Sequence, residues 1–567
     1  MGLQHGGHDG ERYEEFVRYG NNLLSASGNC PRKVQSLTMR PRITDKMRKL
    51  RLLLEYLRTR VEGREAYLLG ILLLVVSCTA GIRLYHSDKD VFLYFGDAAS
   101  HVVRARQFID SQRPGIHNIG TVWLPLPHLI LLPLVAIDAL FYSGIAGLVV
   151  GIPCLVGTSV LLFLLVRKFT GSSPIAFLSG CLFGLNPNLV YMALTPMNEL
   201  LFMLLVTIGG YALLRWQLEK GEWWALACAT AVALAALCRY EAWFIVPFVS
   251  LLSGLRGIVL WRNAERAASL RLFTNAGICW AGIASWVWWN FIEYGDPLKF
   301  ARWTYAVAPG TAEGVLRQPA LDAILIFCKA LLVIYGPIVL LFASGALVPS
   351  WRTLTNRIRP GRVLLFFSLP ALFALAAILA GFVQIDQWRW NWRYVLTAGP
   401  FLAVAAGMGF SEFCRKVNSP VGRLIVAAGL LAMPLVQIAV PFVGVATFDD
   451  ARRSVFDQTR FASAIGDRLH GIHTSGTIAL LTGYSQAQRI MISSGLPLRQ
   501  FHIIDNPGED DILGSLPGPE RYLVIGKDRT PESERAVNSW LSRREELLRY
   551  FAVTLETGHY ILMERKP

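Results

Sequence analysis

The chain has 567 residues, of which 53% are hydrophobic and only 17% are charged, and its mean hydropathy is +0.41. This composition excludes an ordinary soluble protein and predicts a polytopic, mainly α-helical membrane protein. The net charge of +15 comes from Lys and Arg in short loops between apolar runs. That pattern encodes membrane topology and argues against a nucleic-acid partner, which would bind a basic face on a soluble module.

Residues 1–65 are polar and basic, and they predict a cytoplasmic tail with a basic helix over residues 45–64 near anionic headgroups. Translation from Met39 or Met47 is the alternative, because either start lies closer to the first apolar run. That run is too long and too far from residue 1 to be the core of a cleavable signal peptide.

Apolar runs suggest about eleven membrane spans, since a helix needs about 20 residues to cross the hydrocarbon core. They lie near residues 66–86, 145–166, 174–191, 199–214, 223–237, 242–255, 273–291, 320–348, 362–383, 394–411 and 422–445. A further apolar segment, residues 122–140, contains three prolines that remove backbone donors. We therefore expect this segment to re-enter the membrane or to lie at its interface.

The positive-inside rule supports this interpretation, because it places every basic loop on the cytoplasmic side with the N-terminus. Those loops are residues 167–173, 256–272, 350–362 and 414–423. The sequence thus predicts a multi-pass protein of the cell (inner) membrane, with a membrane domain over residues 66–445. The predicted external loops are residues 87–121, 192–199, 238–241, 292–319 and 384–393.

Residues 446–567 change character and predict a small α/β domain outside the cytoplasm. Strands are expected near 476–482, 501–505, 522–526, 551–556 and 559–564, and helices over 484–494 and 531–549. Because the glycine fingerprint of nucleotide-binding folds is missing from this region, we interpret it as a cap or an acceptor-docking module.

The first external loop contains the strongest catalytic candidate, Asp97. Asp97, His101 and Arg104 are spaced i, i+4 and i+7, which places them on one helical face beside the membrane. A partly desolvated carboxylate there suits a general base that takes a proton from a hydroxyl. Two alternatives remain open: Asp97 as the N-cap of a helix running to about Ile109, or as a metal ligand.

Several motifs, in this order and alternating with the spans, resemble those of the GT-C superfamily of glycosyltransferases. They are Gly96-Asp97 with His101 and Arg104, the segment 123–128, Asn186-Pro-Asn188 with the segment 195–199, Arg239-Tyr240-Glu241, and Arg393-Tyr394. The resemblance covers about residues 65–410. It is to the bacterial branch near the protein O-mannosyltransferases, or family 39, the RgtA-like proteins and the aminoarabinose transferases of lipid A.

The resemblance implies an enzyme that moves a hexosyl or pentosyl group, with inversion, from a polyprenyl-phosphate donor to a lipid, glycan or protein acceptor outside the cytoplasm. The sequence lacks a DxD after the third span and a WWDYG box, which argues against transfer of a whole oligosaccharide to asparagine. A divalent cation that bridges the donor phosphate and a carboxylate is an open possibility, with Asp97 and His101 as its ligands.

Within this reaction the expected catalytic carboxylates are Asp97 and Glu199. A lipid phosphate needs cationic stabilisation as it leaves, which arginine provides well. The candidates for that task are Arg393, Arg389, Lys299, Arg302 and Arg104. The expected acceptor or sugar pocket consists of His101, Trp123, His128, Asn198, Arg239 and Glu241.

Some of these roles have simpler alternatives. Glu199 also fits an acid at a helix N-terminus, and Arg239 also fits a structural partner of Glu199 or Glu241. Residues 387–394 alternate tryptophan with polar side chains, so an extended conformation would present indoles to lipid and Arg389, Asn391 and Arg393 to a pocket. An interfacial aromatic belt is the other interpretation of that stretch.

A transporter or flippase of lipid-linked sugars is the competing function class. It predicts ionisable residues deep within broken spans, whereas the ionisable residues of this chain collect at one face. A noncatalytic scaffold would require neither Asp97 nor the external arginines.

Overall fold

The computed structural model describes residues 42–120, 122–219, 221–301, 319–350, 360–439, 444–455, 460–472, 476–482, 484–503, 520–527, 542 and 544–567. Arg302 lies outside these ranges, as do most of the predicted helix 531–549 and the end of the predicted strand 501–505. The first helix, Arg42–Ser87, covers both the predicted basic helix and the first predicted span.

Over the described ranges, seven helices are long and apolar enough to cross a membrane, or nine if two bent pairs each count as one span. The seven are Gly63–Ser87, Ile145–Thr170, Glu199–Glu219, Tyr240–Arg262, Pro360–Leu379, Trp392–Lys416 and Pro420–Ala439. The bent pairs are Ser173–Gly184 with Pro187–Ala193, and Ala320–Tyr335 with Pro337–Ala346. The mainly helical membrane fold is therefore confirmed.

The predicted count of eleven is not confirmed. The predicted spans 223–237 and 273–291 correspond to the helices Glu222–Ala236, Arg266–Ile278 and Ala281–Tyr294. The longest of these has 15 residues, and at about 1.5 Å per residue it falls short of the roughly 30 Å hydrocarbon core.

Both bent pairs break at a proline, which lacks the N–H that a continuous helix needs. Pro187 follows Asn186, whose side-chain oxygen accepts the N–H of Asn188 at 3.0 Å and so caps the second helix. Pro337 follows Gly336, which has a φ of +84°. The two breaks touch, because the Asn186 side chain donates to the carbonyl of Ile334 at 2.7 Å.

The first predicted external loop contains the helix Gly96–Arg106, here called the loop helix. The helix Leu126–Val135 follows it and is interrupted by Pro133. With ten residues it is too short to cross a bilayer. Its placement as a re-entrant or interfacial segment stays a prediction, as do the domain boundaries and the orientation of both termini.

The C-terminal α/β domain is confirmed. Its helices are Ala446–Ser454, Arg460–Ile472 and Tyr484–Ser494. Its strands are β1 Ile478–Leu481, β2 Phe501–Ile503, β3 Tyr522–Gly526, β4 Phe551–Glu556 and β5 Tyr560–Arg565, in the order β2-β1-β3-β5-β4. β1 pairs in parallel with β2 and β3, while β4 and β5 form the predicted antiparallel hairpin at the sheet edge. Every residue of β1 and β3 is buried, as expected for central strands.

The C-terminal domain packs against the loop helix through a shared apolar core that includes Val102, Val103 and Met491. Polar contacts add to it, because the buried carboxylate of Asp110 accepts the backbone N–H groups of Leu498 at 3.1 Å and Arg499 at 3.3 Å. The position of the first external loop is therefore fixed by the C-terminal domain.

Close packing also fixes the segment that leads to Glu199. A Cβ atom at Gly147 would lie 2.2 Å from the backbone nitrogen of Pro196, where no neighbour can give way. We predict that Gly147→Ala lowers the free energy of unfolding by about 1–3 kcal/mol through overpacking. Gly254→Ala is the matched control, because its Cβ meets nothing within 4 Å and it should be neutral or slightly stabilising. Thermal unfolding in detergent would measure both, and equal melting temperatures for the two variants would contradict the prediction.

Candidate active site

A cavity of about 540 Å³ lies where the first predicted external loop meets the starts of three span helices. Its polar end is lined by Asp97, His101, Asn198, Glu199, Arg239, Glu241, Arg393 and Tyr394. Its apolar wall includes Phe244, Phe373, Ala374, Ala377, Ala380, Phe382 and Val383. One cavity therefore joins a charged end to a surface suited to hydrocarbon.

Arg239 is the centre of a buried ionic cluster. Its guanidinium donates to Glu199 Oε1 at 2.7 Å, to Glu241 Oε1 at 2.6 Å and to Asn198 Oδ1 at 2.6 Å. These side chains are buried, so the cation is needed to compensate two carboxylates that water barely reaches. Arg239 therefore has the contacts expected of its alternative role, a structural partner of Glu199 and Glu241.

Glu199 retains one open oxygen. Its Oε2 atom is buried, and no described residue hydrogen-bonds to it. Since Glu199 is the first residue of its helix, the helix dipole also favours its charge. The open oxygen is available to a hydroxyl or another donor that enters the cavity.

Asp97 pairs with Arg393, 296 positions further along the sequence. The N-cap of the loop helix is Phe95, and Asp97 lies inside the first turn, so Asp97 does not act as the cap. The Asp97 side chain keeps 33% of its surface exposed, against 11% for Arg393. The carboxylate therefore faces the open part of the cavity.

Tyr394 lies between the two arginines of the cavity. The guanidinium carbon of Arg239 is 5.3 Å from the centre of the Tyr394 ring, and that of Arg393 is 5.6 Å from it. Arg393 also lies 5.2 Å from the ring centre of Phe95. These cation–π contacts hold two neighbouring cations that would otherwise repel each other.

His101 and His128 form a buried pair whose proton positions follow from their partners. His128 Nδ1 lies 3.0 Å from the carbonyl of Ile119, which can only accept, so this nitrogen carries the proton. His128 Nε2 then accepts from His101 Nδ1 at 2.9 Å. Burial, with Arg393 and Arg239 nearby, lowers the pKa of His101 to about 3. His101 is therefore neutral, and its remaining nitrogen, Nε2, is a hydrogen-bond acceptor.

Several predicted residues lie away from the described lining of the cavity. His128 lies behind His101, and Arg104 lies on that side too, near Gly120. Arg389 pairs with Asp449 instead of facing the cavity. Lys299 is half-buried but does not line the cavity. Arg393 is the predicted phosphate ligand that lines the described part of the cavity. Trp123, a predicted pocket residue, also lines it, and its ring centre is 5.1 Å from that of His101.

The extended conformation considered for residues 387–394 is wrong. Asp386 accepts the N–H groups of Trp388 and Trp390 at 2.8 Å each, which folds the chain into turns. Arg389 and Asn391 then adopt φ values of +82° and +60°. The alternation of side chains is lost, and Trp392 is buried at 1% exposure while Trp388 is 64% exposed.

Asp450 is a site residue that sequence reasoning missed. It lies on the helix Ala446–Ser454, is 4% exposed and has a buried oxygen, Oδ2, with no hydrogen-bond partner in the described ranges. Burial raises the pKa of Asp450 to about 7, even though Arg393 is close enough to oppose that rise. The sequence signal was an acidic pair, Asp449-Asp450, directly after the last predicted span.

A metal site is not apparent in the described part of the chain, where no three His, Cys, Asp or Glu side chains are close enough to hold an ion. The cavity carboxylates Asp97, Glu199 and Glu241 pair with arginines. This donor set does not fit a divalent ion, and a metal requirement stays a prediction.

In a comparison with solved structures, the chain is similar to ArnT from Cupriavidus metallidurans, which has a GT-C fold. ArnT in the apo state has a TM-score of 0.52 at 13% identity, and ArnT bound to undecaprenyl phosphate has 0.53 at 12%. Each comparison covers 87% of this chain and 97% of ArnT. No protein-family model and no curated protein matches the sequence.

The fold is the GT-C fold. This confirms the fold expected from the motifs. The likeness extends over almost the whole of ArnT.

The buried ionic cluster makes a prediction about stability. Arg239→Met would leave Glu199 and Glu241 buried without a cation. We therefore expect it to lower the free energy of unfolding by about 3–5 kcal/mol. Arg271→Met is the matched control, because Arg271 pairs with Glu222 but is 63% exposed and should cost at most about 1 kcal/mol. Thermal unfolding of the two purified variants would decide, and a smaller loss for Arg239→Met than for Arg271→Met would contradict the assignment.

Proposed function

We propose that this protein is a membrane glycosyltransferase that moves a sugar from a polyprenyl-phosphate donor to a hydroxyl acceptor outside the cytoplasm. The cavity carries the proposal, because a cationic and carboxylate end meets an apolar wall in one space. The GT-C fold supports it, as does the bound undecaprenyl phosphate of ArnT. The N-terminus is then cytoplasmic, and the C-terminal domain lies on the side of the acceptor.

The two ends of the cavity suit the two ends of such a donor. The apolar wall offers small alanines along one helix face, and Phe244 and Phe382 are 43% and 52% exposed at its edge. A prenyl chain could leave the cavity there toward lipid. The phosphate would lie near Arg393 and Arg239, since guanidinium groups bind phosphate oxygens through two hydrogen bonds.

Binding of the donor would change the partner of Arg393. In the structure Arg393 pairs with Asp97. When the donor phosphate takes over Arg393, Asp97 loses this partner, and its carboxylate is left to accept the proton of the acceptor hydroxyl. The base would therefore become active only once the donor is in place.

The reaction can then be written in one displacement. The acceptor oxygen attacks the anomeric carbon, the bond from that carbon to the phosphate oxygen breaks, and the acceptor proton passes to Asp97. The products are the glycosylated acceptor, with inverted configuration, and polyprenyl phosphate. Arg393 and Arg239 stabilise the charge that develops on the leaving phosphate.

The cavity also offers hydrogen-bond acceptors to hydroxyl groups of the sugar and the acceptor. His101 Nε2 and Glu199 Oε2 each have an open lone pair for an O–H group. Trp123 offers an aromatic face beside His101 for stacking on a sugar ring. A site with buried hydrogen-bond acceptors rejects analogues that lack the matching hydroxyl.

The first functional prediction concerns the base. Asp97→Asn should lower the turnover number about 10²- to 10⁴-fold, the usual contribution of a general base, while the donor still binds. Sugar transfer from radiolabelled polyprenyl-phosphate sugar in proteoliposomes is the measurement. Asp138→Asn is the control carboxylate, 70% exposed on a neighbouring helix. Full activity of Asp97→Asn would reject the base, and lipid movement across the bilayer without sugar transfer would indicate a flippase.

The second functional prediction separates two arginines that lie four residues apart. Arg393→Leu should raise the KM for the donor roughly ten- to a hundredfold, since a hydrogen bond to a charged group contributes about 1.5–3 kcal/mol. Arg389→Leu should change it far less, because Arg389 pairs with Asp449 away from the cavity. Equal effects of the two substitutions on the donor KM would contradict the assignment of the phosphate to Arg393.

A further inference from the structure

The charges of the cavity do not balance. Its described lining contains the carboxylates Asp97, Glu199 and Glu241 but only two cations, Arg239 and Arg393. A donor phosphate would add a further negative charge in a region with little water. Such a charge is costly unless a cation is gained or a carboxylate is protonated.

Asp450 is a fourth carboxylate, outside the lining of the cavity but close enough to Arg393 and Asp97 to interact with them electrostatically. Its helix, Ala446–Ser454, is here called the clamp helix, because it touches both catalytic segments. Asp449 of the clamp helix pairs with Arg389, and Ser454 Oγ accepts the N–H of Gly96 at the start of the loop helix, at 3.3 Å. The clamp helix thus lies between the segment that carries Arg393 and the segment that carries Asp97.

Among the described residues, Asp450 has one hydrogen-bond donor and forms no ion pair with a cation. The backbone N–H of Asn391, held in the left-handed region at φ +60°, donates to the Asp450 carboxylate. The other oxygen, Oδ2, is buried and without a hydrogen bond among the described residues. A carboxylate in this situation is stable when it carries a proton, and its neutral form still accepts the bond from Asn391.

We propose that Asp450 is a positioning residue that holds a proton when the donor binds, so that Arg393 is left to the phosphate. This inference rests on the proposed function, because it assigns Asp450 a role in binding the same donor. In its ionised form Asp450 would compete with the phosphate for Arg393 and repel it. In its neutral form it would still accept the hydrogen bond from Asn391 and hold residues 389–393 in place. It would then neither compete for Arg393 nor repel the phosphate.

The groups that face Asp450 come from four elements. Arg393 lies on the helix that begins at Trp392, Asp97 on the loop helix, Arg453 on the clamp helix itself, and Tyr191 on the helix Pro187–Ala193. Arg393 and Arg453 favour the ionised carboxyl, whereas burial and Asp97 favour the neutral one. Burial has the largest effect, which is why the pKa of Asp450 rises to about 7.

The decisive test is the pH dependence of the donor KM. The substrate should be a polyprenyl-phosphate sugar, a diester whose phosphate keeps one charge between pH 5.5 and 8.5. In the wild-type protein we expect the KM to rise roughly tenfold across this range, because the ionised Asp450 would repel the donor phosphate in a region with little water. Asp450→Asn cannot ionise and should keep the low KM throughout.

Asp449→Asn is the matched control. It removes the neighbouring carboxylate of the same helix, which is 44% exposed and pairs with Arg389, and it should retain the wild-type dependence of KM on pH. Loss of the Asp97 carboxylate should lower the turnover number, whereas ionisation of Asp450 should raise the donor KM, which separates the two carboxylates. A rise of KM in Asp450→Asn equal to that of the wild type would overturn the proposal.

Thermal unfolding tests the same residue without any reaction. The pKa of Asp450 is about 7 in the folded protein, against an ordinary value of 3.8. Its neutral form therefore favours folding at low pH, and this stabilisation is lost as the pH rises through about 7. Asp450→Asn should therefore gain melting temperature over the wild type between pH 5 and pH 8, and Asp449→Asn should not.

The transfer assay and thermal unfolding test the proposed function and the role of Asp450 separately. A gain in melting temperature with no transfer activity in any variant would refute the proposed function but leave Asp450 as a proton-holding group. Transfer activity with no difference in melting temperature across pH would refute the role of Asp450 and leave the function standing.

Discussion

The buried pairing of Arg239 with Glu199 and Glu241 is the constraint on which the site depends. Charges that water barely reaches must be matched within hydrogen-bonding distance, and one guanidinium matches both carboxylates here. Glu199 opens one span helix and Glu241 lies at the start of another. Their pairing therefore fixes the same end of both helices at one place. The Tyr394 ring, in contact with Arg239, extends this junction to the start of a third.

This junction explains why sequence reasoning could find most of the site but not its pairings. The positive-inside rule assigned each loop to one side of the membrane, and five predicted site residues lie in loops assigned to the outer side. They are Asp97, Glu199, Arg239, Glu241 and Arg393. They do meet in one cavity. Which carboxylate pairs with which arginine depends on contacts between residues up to 296 positions apart, and a single sequence carries no record of them.

Arg389 and Arg393 show where local reasoning failed. Four positions apart, both were candidate phosphate ligands. The backbone between them passes through two left-handed conformations, which direct Arg389 to Asp449 and Arg393 to Asp97. Neither residue is a glycine, so no sequence signal marked the turn. Asp450 was missed for a similar reason, because an acidic pair followed by Arg452 and Arg453 is typical of a solvated helix face, and its burial depends on tertiary packing.

The left-handed conformations at Arg389 and Asn391 carry an energetic consequence for the whole site. Each costs about 1–3 kcal/mol and persists only where surrounding contacts compensate. Asp386 supplies part of the compensation through two backbone bonds, and the clamp helix supplies the rest through Asp449 and Asp450. The clamp helix follows the last membrane helix and also bonds to the start of the loop helix. The relative position of Asp97 and Arg393 is therefore set from outside the membrane helices, by the clamp helix at the start of the C-terminal domain. Ionisation of Asp450 should therefore be transmitted to the cavity, because the backbone segment that donates to Asp450 also carries Arg393.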